Sequence, residues 1–310
     1  MSVIAGVGMA VPEQRVTNAD FEARLDTTDA WITERTGIKE RRVAADGEKT
    51  RDLAVAAGAA ALKDAGLTPD DVGLLVLATA TPDQALPATA AFVQDELGTR
   101  GGAFDLGAAC AGFVYGLVVA SSMLANLEGS ALVIGAETLT RIVDPDDRST
   151  AVLFGDGAGA AVLLPSVDGR GLLAWDMGCD GSAAGLLEIR PGESYLRMDG
   201  REVFRRAVRV VVESAEATLR RAGMSASQVD VFVPHQANRR IIDAAASRLG
   251  IPEDRTVVNV DRYGNTSAAS IPIALAEAAA DGRLQDGQLV LLSGFGAGMT
   301  WASALIRWGS

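Results

Sequence analysis

The sequence offers few side chains for nucleophilic or acid–base catalysis: one histidine, His235, and two cysteines, Cys110 and Cys179. Cys110 lies among small residues (107–112) at the start of a long apolar segment that predicts a helix. Because the free N–H groups and the dipole of a helix N-terminus favour a thiolate, this pattern is typical of a nucleophile. An isolated cysteine is also commonly a small buried hydrophobe, so both interpretations stay open here. Cys179 has no predicted helix behind it, and we assign it no role.

Two polar residues are candidates to act with such a thiol. His235 ends a short apolar run that predicts a strand, and open α/β sheets present functional groups at strand ends. Any imidazole chemistry has to use His235, since the chain contains no other histidine. Asn265 lies at the predicted start of a second helix, where an ordinary helix cap explains an asparagine equally well.

Three glycine-rich segments could contact a phosphate or an oxyanion. Residues 293–298 follow a predicted strand and either expose backbone N–H groups to a developing oxyanion or form a plain turn. Residues 6–11 lack the third glycine of a dinucleotide fingerprint, and Pro12 follows where the helix should begin, so we reject that site. Residues 155–159 have the wrong spacing for either phosphate loop and predict close backbone approach instead.

Alternating strand and helix patterns must position these residues, and they predict an α/β fold. The uncharged stretch 106–127 is long enough for a bilayer, but its glycine, serine and asparagine content and its lack of a basic flank favour a buried central helix. We predict helices at residues 51–65, 202–222, 237–249 and 266–280, and strands at residues 72–78, 131–136, 151–164 (interrupted), 229–233, 256–260 and 289–292.

The two halves of the chain resemble each other at an offset of 157 residues. We therefore predict a duplication, with an N-terminal half at residues 1–165 and a C-terminal half at residues 166–310, although such residue pairs are common in α/β chains. Loops at the strand ends of two such units would meet in one active site. The landmarks that share the offset are Ala65-Gly66 with Ala222-Gly223, Val72 with Val229, Gly107 with Gly264, and Leu132-Val133 with Leu289-Val290.

Composition excludes several other classes of protein. The 310 residues include 40 acidic and 28 basic side chains, and a net charge of −12 argues against a general nucleic-acid binder. Two cysteines and one histidine leave few designs for a metal site or a disulfide framework, and they suit a reducing cytosol. The N-terminal residues lack the basic and apolar regions of a signal peptide, so we expect a cytoplasmic protein that does not span a membrane.

Local basic clusters depart from this acidic balance. They are either solvated helix faces or a docking patch for a phosphate-bearing or acidic partner. They comprise Arg201, Arg205, Arg206 and Arg209, with Glu202 the only acid among them, and the pair Arg239 and Arg240.

Taken in order, these motifs resemble β-ketoacyl-acyl-carrier-protein synthase III, a family of thiolase-like condensing enzymes. The resemblance extends over essentially the whole chain. It implies a five-layered αβαβα fold built from two duplicated halves, a homodimer, and a catalytic triad of Cys110, His235 and Asn265. The stretches that carry it are residues 29–32, 35–38, 108–113, 154–159, 233–238, 263–270 and 294–298.

The resemblance also implies the binding sites around this triad, with a coenzyme A thioester as substrate and neither a cofactor nor a metal. Residues matching the family's functional positions fall into four groups. They are Trp31, Arg35, Arg148, Gly200, Phe204, Ala237 and Asn238 for coenzyme A and its tunnel; Cys110 and Ala297 for the oxyanion hole; Leu86 and Phe295 for the acyl pocket; and Arg205, Gln236, Arg239 and Arg240 for docking of the carrier protein.

Three positions depart from the family's pattern. Arg201 stands where an asparagine often lines the tunnel, which puts that contact in doubt. Leu86 stands where several members have a phenylalanine that closes the acyl pocket, so a longer or branched starter becomes a hypothesis. Ser247 replaces a basic residue found in some relatives, which predicts a shifted docking surface for the carrier protein.

The implied activity is decarboxylative condensation of an acyl-CoA starter with a malonyl-carrier protein to start fatty acid synthesis. A priming ketosynthase or an acyltransferase of a polyketide pathway is the nearest alternative. A non-catalytic partner subunit of a condensing heterodimer belongs to another class. The presence of Cys110 argues against such a subunit, and Asn265 argues against simple acyl transfer.

Overall fold

The computed structural model describes residues 2–166 and 169–309. In this part of the chain the helices are α1 (Asn18–Glu22), α2 (Asp29–Thr36), α3 (Thr50–Asp64), α4 (Thr89–Leu97), α5 (Gly112–Leu124), α6 (Gly200–Arg221), α7 (Arg239–Leu249), α8 (Val260–Tyr263) and α9 (Ser270–Ala280). The strands are β1 (Ser2–Ala10), β2 (Arg15–Thr17), β3 (Glu40–Arg42), β4 (Val72–Ala78), β5 (Gly102–Leu106), β6 (Ser130–Thr138), β7 (Asp156–Pro165), β8 (Gly171–Cys179), β9 (Leu187–Glu188), β10 (Arg197–Met198), β11 (Val231–Pro234), β12 (Leu289–Gly296) and β13 (Thr300–Arg307).

Two mixed sheets repeat one topology. The first has the order β1-β7-β6-β4-β5, and the second has the order β11-β12-β13-β8. In the first sheet β4 is parallel to both β5 and β6, and in the second sheet β11 is parallel to β12. The remaining pairs, towards β1 or β8, are antiparallel. The first sheet uses only strands before residue 166 and the second only strands after residue 170. The duplication is therefore present in the fold, while the two halves as separate domains stay a prediction.

The sheets and helices form five layers in the order αβαβα. Helices α3 and α4 cover the outer face of the first sheet, and α6 and α7 cover that of the second. The middle layer contains α5 and α9, whose apolar side chains join both sheets in one buried cluster. The uncharged stretch thus forms a central buried helix, because it is apolar on all sides and meets a sheet on each side. Among the described residues, no helix combines the length and the hydropathy that crossing a membrane requires.

The single offset of 157 residues is wrong in detail. Val231 lies 157 residues after Leu74, as the offset requires. Val231 pairs with Val290 and Leu74 pairs with Ala131, and these two partners lie 159 residues apart in the sequence. The match between Leu132-Val133 and Leu289-Val290 is therefore displaced by two residues. Short insertions between the elements shift the register, and a sequence comparison at fixed spacing cannot detect them.

The predicted strand at residues 256–260 is also wrong. Only one isolated bridge, between Phe232 and Thr256, marks where the second sheet would have its fifth strand. The Gln236 side chain accepts hydrogen bonds from the N–H groups of Asn259 and Val260, which turn the chain into α8 instead. Residues 151–155 likewise form a turn, so the strand predicted from residue 151 begins at Asp156. The predicted helix at residues 266–280 is a 3₁₀ turn followed by α9.

Candidate active site

Cys110 lies in a tight turn between β5 and the N-terminus of α5. Ala109 has φ 45°, a left-handed conformation that a residue with a side chain rarely adopts. The turn packs against β12, where Gly296 is required because a Cβ atom at that position would lie 2.5 Å from the Cys110 backbone nitrogen. The predicted glycine-rich loop thus holds the backbone of the nucleophile, since glycine alone permits such an approach.

The thiol of Cys110 is held in a buried environment. Burial raises its pKa to about 12, although a hydrogen bond with the Ser267 side chain acts in the opposite direction. The helix N-terminus is expected to lower the pKa of this thiol. Desolvation raises the pKa by more, because burial penalises the charged form. At neutral pH, the thiol of the protein alone keeps its proton.

His235 follows β11 and is anchored on two sides. Its backbone N–H donates to the Ser293 carbonyl at 2.8 Å, and its Nδ1 lies 2.6 Å from the Ser270 hydroxyl at the start of α9. The ring meets Phe295 edge to face, with centroids 5.4 Å apart. Burial lowers the pKa of His235 to about 3, so the imidazole is neutral at physiological pH.

Asn265 is positioned by backbone and side-chain hydrogen bonds. Its N–H donates to the Leu153 carbonyl at 2.8 Å, and its carbonyl accepts from the Gly155 N–H at 3.0 Å. The side-chain Oδ1 accepts from the Ser267 N–H at 2.9 Å. Because the oxygen end of the amide is engaged, the NH₂ end is the one that remains for a ligand. Asn265 is not the helix cap that the sequence allowed, since the 3₁₀ turn at Ser267–Ala269 has Thr266 at its N-cap. Its side-chain bond to the Ser267 N–H instead orients the NH₂ donor.

The three predicted catalytic residues come together at one narrow cavity of about 90 Å³. Five further residues that the resemblance implied also line it, namely Gly200, Phe204, Ala237, Asn238 and Phe295. The sequence analysis assigned no individual role to the other lining residues, although Gly296 belongs to the glycine-rich segment 293–298. Six of the seven are apolar, and their residue types alone do not mark them as lining residues, because their position at the cavity depends on the tertiary fold. The seven residues are Leu153, Phe154, Leu187, Met198, Val203, Ile241 and Gly296.

A second group of predicted residues forms a separate cluster. The guanidinium groups of Arg35 and Arg148 lie 4.5 and 5.2 Å from the centroid of the Trp31 ring. The Asn238 side chain donates to the Arg35 carbonyl at 3.0 Å, which joins this cluster to the lining of the cavity. A cationic, aromatic surface of this kind suits a ring system that carries phosphates.

Several predicted positions do not fit their assigned roles within one chain. Gln236 is 1% exposed and its amide bonds to backbone groups, so its predicted contact with a docking protein is wrong. Leu86 is 85% exposed and does not line the cavity of its own chain. Arg201 is exposed and also lies outside the cavity lining. In the glycine-rich segment 293–298, Phe295 and Gly296 line the cavity. Ala297, next to them, is half-buried and stays a prediction for the oxyanion hole.

The sequence analysis missed a buried carboxyl group near the nucleophile. Glu137, in β6, is fully buried and accepts hydrogen bonds from the Ala80 N–H at 3.0 Å and the Thr81 hydroxyl at 2.6 Å. Burial raises the pKa of Glu137, and its charge adds to the increase in the pKa of Cys110. The only sequence signal is an acidic residue directly after the apolar strand predicted at residues 131–136.

The comparisons with known proteins agree with this fold and site. Family models described as 3-oxoacyl-[acyl-carrier-protein (ACP)] synthase III and its C terminal match residues 104–181 and 219–308. A β-ketoacyl-[acyl-carrier-protein] synthase III of Mesorhizobium japonicum is 50% identical over 99% of each chain. The crystal structure of 3-oxoacyl-[acyl-carrier-protein] synthase III from Aquifex aeolicus has a TM-score of 0.97 at 46% identity, covering 99% of this chain and 100% of that chain. A priming β-ketosynthase of a polyketide biosynthetic pathway has a TM-score of 0.94 at 38% identity, covering 100% and 97%.

The five-layered fold with its duplicated halves is that of the thiolase-like condensing enzymes. Within this class, the chain belongs to the β-ketoacyl-acyl-carrier-protein synthase III family, acyltransferases of fatty acid biosynthesis. The resemblance noted in the sequence is thereby confirmed at the level of family and fold.

We expect the buried His235 to make the protein less stable as the pH falls. Its folded pKa of about 3 lies below the ordinary 6.5, so between these values the unfolded chain binds a proton that the folded chain does not. This contribution is fully present above pH 6.5 and decreases by about 1.4 kcal/mol per pH unit below it. Urea unfolding from about pH 7 to about pH 5 measures the effect, and the His235→Gln variant should lack this component. Equal pH dependence in both proteins would contradict the neutral, buried imidazole.

Proposed function

We propose that the chain catalyses decarboxylative condensation of an acyl-CoA starter with a malonyl-carrier protein, giving a 3-ketoacyl-carrier protein that starts fatty acid synthesis. The observation that carries the proposal is the convergence of the Cys110 thiol, the neutral His235 ring and the Asn265 amide on one cavity. A thiol supplies a nucleophile, and two neutral donors can stabilise an enolate. The reaction uses the thioester itself as the activated group and needs no cofactor.

In the first half-reaction, the sulfur of Cys110 attacks the thioester carbonyl of the acyl-CoA. The C–S bond to coenzyme A breaks, an acyl-Cys110 thioester forms, and the thiol proton leaves with the coenzyme A sulfur. Backbone N–H groups of Cys110 and of the glycine-rich loop, with Ala297 as the predicted second donor, stabilise the oxyanion. Because burial holds the pKa of Cys110 high, we expect the thiol proton to pass to the departing coenzyme A sulfur as the new C–S bond forms rather than beforehand.

In the second half-reaction, His235 and Asn265 donate hydrogen bonds to the thioester carbonyl of the malonyl group. The carbon–carbon bond to the carboxylate breaks, CO₂ departs, and the electron pair forms an enolate whose oxygen these donors stabilise. The enolate carbon attacks the carbonyl of acyl-Cys110, the C–S bond to Cys110 breaks, and the departing thiolate takes up a proton from solvent. A neutral imidazole is required, since it must keep an N–H while adding no further charge to a buried site.

The two substrates reach Cys110 through the same narrow opening. We assign the phosphate-bearing nucleotide of coenzyme A to Trp31, Arg35 and Arg148, and its thin pantetheine arm to the cavity between α6 and α7. The guanidinium of Arg240 lies 5.5 Å from the Phe204 ring centroid, which places it near the lining of this opening. Arg239 forms ion pairs with Asp243 and Glu253, which partly neutralise its positive charge. We therefore expect Arg239 to contribute less to docking of the carrier protein than the resemblance implies.

A cluster of four arginines offers the best surface for an acidic carrier protein. They surround an open depression of about 330 Å³ on α6 and α7. Arg248 supplies a positive charge next to Ser247, so the loss of a basic residue at Ser247 is compensated nearby. The cluster consists of Arg205, Arg206, Arg209 and Arg248. The first three also form ion pairs, with Glu202, Asp180 and Glu213 respectively, so their positive charge is partly neutralised like that of Arg239.

Reversing charge in this cluster tests the assignment. We expect Arg209→Glu and Arg248→Glu each to raise the KM for the malonyl-carrier protein by roughly tenfold, with a weaker salt dependence, because an attractive surface becomes repulsive. Acylation of Cys110 by acyl-CoA should not change. Arg220→Glu, near the other end of α6 and 69% exposed, is the matched control. Equal effects of the control and cluster variants would refute the docking surface.

We further propose a cytoplasmic homodimer. Strand β5 is the edge of the first sheet and has half-buried Phe104 and Leu106, so a second copy could pair with it and cover these side chains. Exposed Leu86 can act on an acyl pocket only if it belongs to another copy. The cytoplasm supplies both acyl-CoA and malonyl-carrier protein, and it keeps the two free cysteines reduced.

Intact-protein mass spectrometry tests the reaction directly. Incubation with a panel of acyl-CoAs should add one acyl mass, which the Cys110→Ala variant lacks and the Cys179→Ala variant keeps. Adding malonyl-carrier protein should then release CO₂ and give a carrier-bound chain two carbons longer. Acyl transfer to the carrier without CO₂ release would instead identify an acyltransferase, and no acylation at all would favour a non-catalytic subunit.

A priming ketosynthase of a polyketide pathway is the second candidate. It is favoured by the structural match to such an enzyme at a TM-score of 0.94. Its chemistry is the same, and the starter distinguishes the two: a strict preference for one unusual acyl-CoA in the panel would support the priming role.

A further inference from the structure

The interaction between His235 and Ser270 determines more than the position of the ring. A neutral imidazole has one N–H, and the proton can reside on either nitrogen. Only the form with the proton on Nε2 can donate to a substrate in the cavity, because Nδ1 already faces the Ser270 hydroxyl at 2.6 Å. The protein therefore needs a group that selects this tautomer.

The hydrogen bonds around Ser270 select it. The Gln236 N–H donates to the Ser270 oxygen at 3.3 Å, so one lone pair of this hydroxyl is occupied. Ser270 and His235 are both buried, being 2% exposed. If Nδ1 carried the proton, it would donate to the second lone pair, and the Ser270 hydroxyl proton would need another acceptor. Among residues 2–166 and 169–309, the only hydrogen-bond partners found for this hydroxyl are His235 and Gln236.

We propose that Ser270 is a positioning residue whose hydroxyl donates to Nδ1 of His235 and thereby holds the imidazole as the Nε2–H tautomer. In this arrangement every buried group is paired, since the Gln236 N–H donates to Ser270 and Ser270 donates to His235. It follows that His235 acts as a hydrogen-bond donor and does not accept the Cys110 proton at Nε2. The catalytic consequence rests on the proposed function, whereas the tautomer itself does not.

The single histidine makes the tautomer directly measurable. In protein produced without a histidine tag and labelled with ¹⁵N-histidine, every imidazole signal belongs to His235. We expect the wild-type spectrum near neutral pH to show a protonated Nε2 and an unprotonated, hydrogen-bonded Nδ1. A wild-type spectrum with the proton on Nδ1 would overturn the proposal without any variant.

The Ser270→Ala variant tests the cause. We expect its ¹⁵N signals to move towards a mixture of tautomers, and the decarboxylation of malonyl-carrier protein to slow by about tenfold, the effect of one lost hydrogen bond. Acylation of Cys110 should keep its rate. Ser270→Thr retains a hydroxyl and should restore both the tautomer and most of the rate. Ser303→Ala removes a buried hydroxyl that bonds to Ser293, and it is the control for a general loss of stability.

The outcomes separate this proposal from the proposed function. A pure Nε2–H tautomer in Ser270→Ala would refute the role of Ser270, even if the condensation proceeds as proposed. A wild-type protein that has the expected tautomer, loses it in Ser270→Ala and yet condenses no substrate would refute the proposed reaction while supporting the assignment of Ser270.

Discussion

Cys110→Ala should abolish formation of the acyl-enzyme and lower the condensation rate on the order of 10⁶-fold, as when other enzymes lose their nucleophile. The reason is structural: Cys110 is the only thiol at the cavity, since Cys179 is exposed and does not line it. The variant keeps His235 and Asn265, so it should still decarboxylate malonyl-carrier protein to acetyl-carrier protein. Mass spectrometry of the protein and of the carrier measures both effects.

Cys179→Ala provides the matched control for this substitution. It removes the other thiol and should leave acylation and condensation unchanged. Acylation that persists in Cys110→Ala but disappears in Cys179→Ala would show that the nucleophile is misassigned. Loss of malonyl decarboxylation in Cys110→Ala would show that the thiol also supports the second half-reaction.

The second large effect is expected for the two donors. His235→Ala and Asn265→Ala should each slow malonyl decarboxylation by about 10²–10³, the loss typical of one oxyanion donor. Neither side chain is needed as a base for the thiol in the proposed mechanism, so Cys110 should still become acylated. Release of ¹⁴CO₂ from labelled malonyl-carrier protein, compared with the acyl-enzyme mass under the same conditions, separates the two half-reactions.

The double variant His235→Ala/Asn265→Ala adds a stricter condition. If both residues donate to the same enolate oxygen, their effects should be less than additive in free energy, because the remaining donor adapts when its partner is lost. Should His235→Ala block acylation and leave decarboxylation intact, the imidazole would be the base for Cys110. That result would also contradict the tautomer assigned through Ser270.

The sequence, with the family resemblance, was sufficient to predict the residues to which we assign the chemistry. Cys110, His235 and Asn265 stand in short motifs whose residue types and neighbours are local properties, and the structure brings all three to one cavity. Strand β4 and helix α3 were predicted within one residue at each end, because their apolar patterns are strong and uninterrupted. The fold class followed from the alternation of such elements and from the resemblance.

Other features depended on contacts between distant parts of the chain. The strand predicted at residues 256–260 is lost because a buried amide, Gln236, binds two backbone N–H groups there. The same burial makes Gln236 unsuitable for docking, although Arg239 and Arg240 lie three and four residues further along the chain. Leu86 has the residue type for an acyl pocket, but it is 85% exposed and does not line the cavity of its own chain.

The sequence by itself thus determined which groups are present, and the tertiary structure decided their protonation and their partners. A cysteine at a helix N-terminus predicts a thiolate, yet burial between the two halves raises the pKa of Cys110 to about 12. A histidine predicts a group that titrates near neutral pH, yet burial lowers the pKa of His235 to about 3, and Ser270 contacts its Nδ1. The physical reason is that desolvation and hydrogen bonding depend on which residues surround a group in space, and residues 35 positions apart meet only in the folded chain.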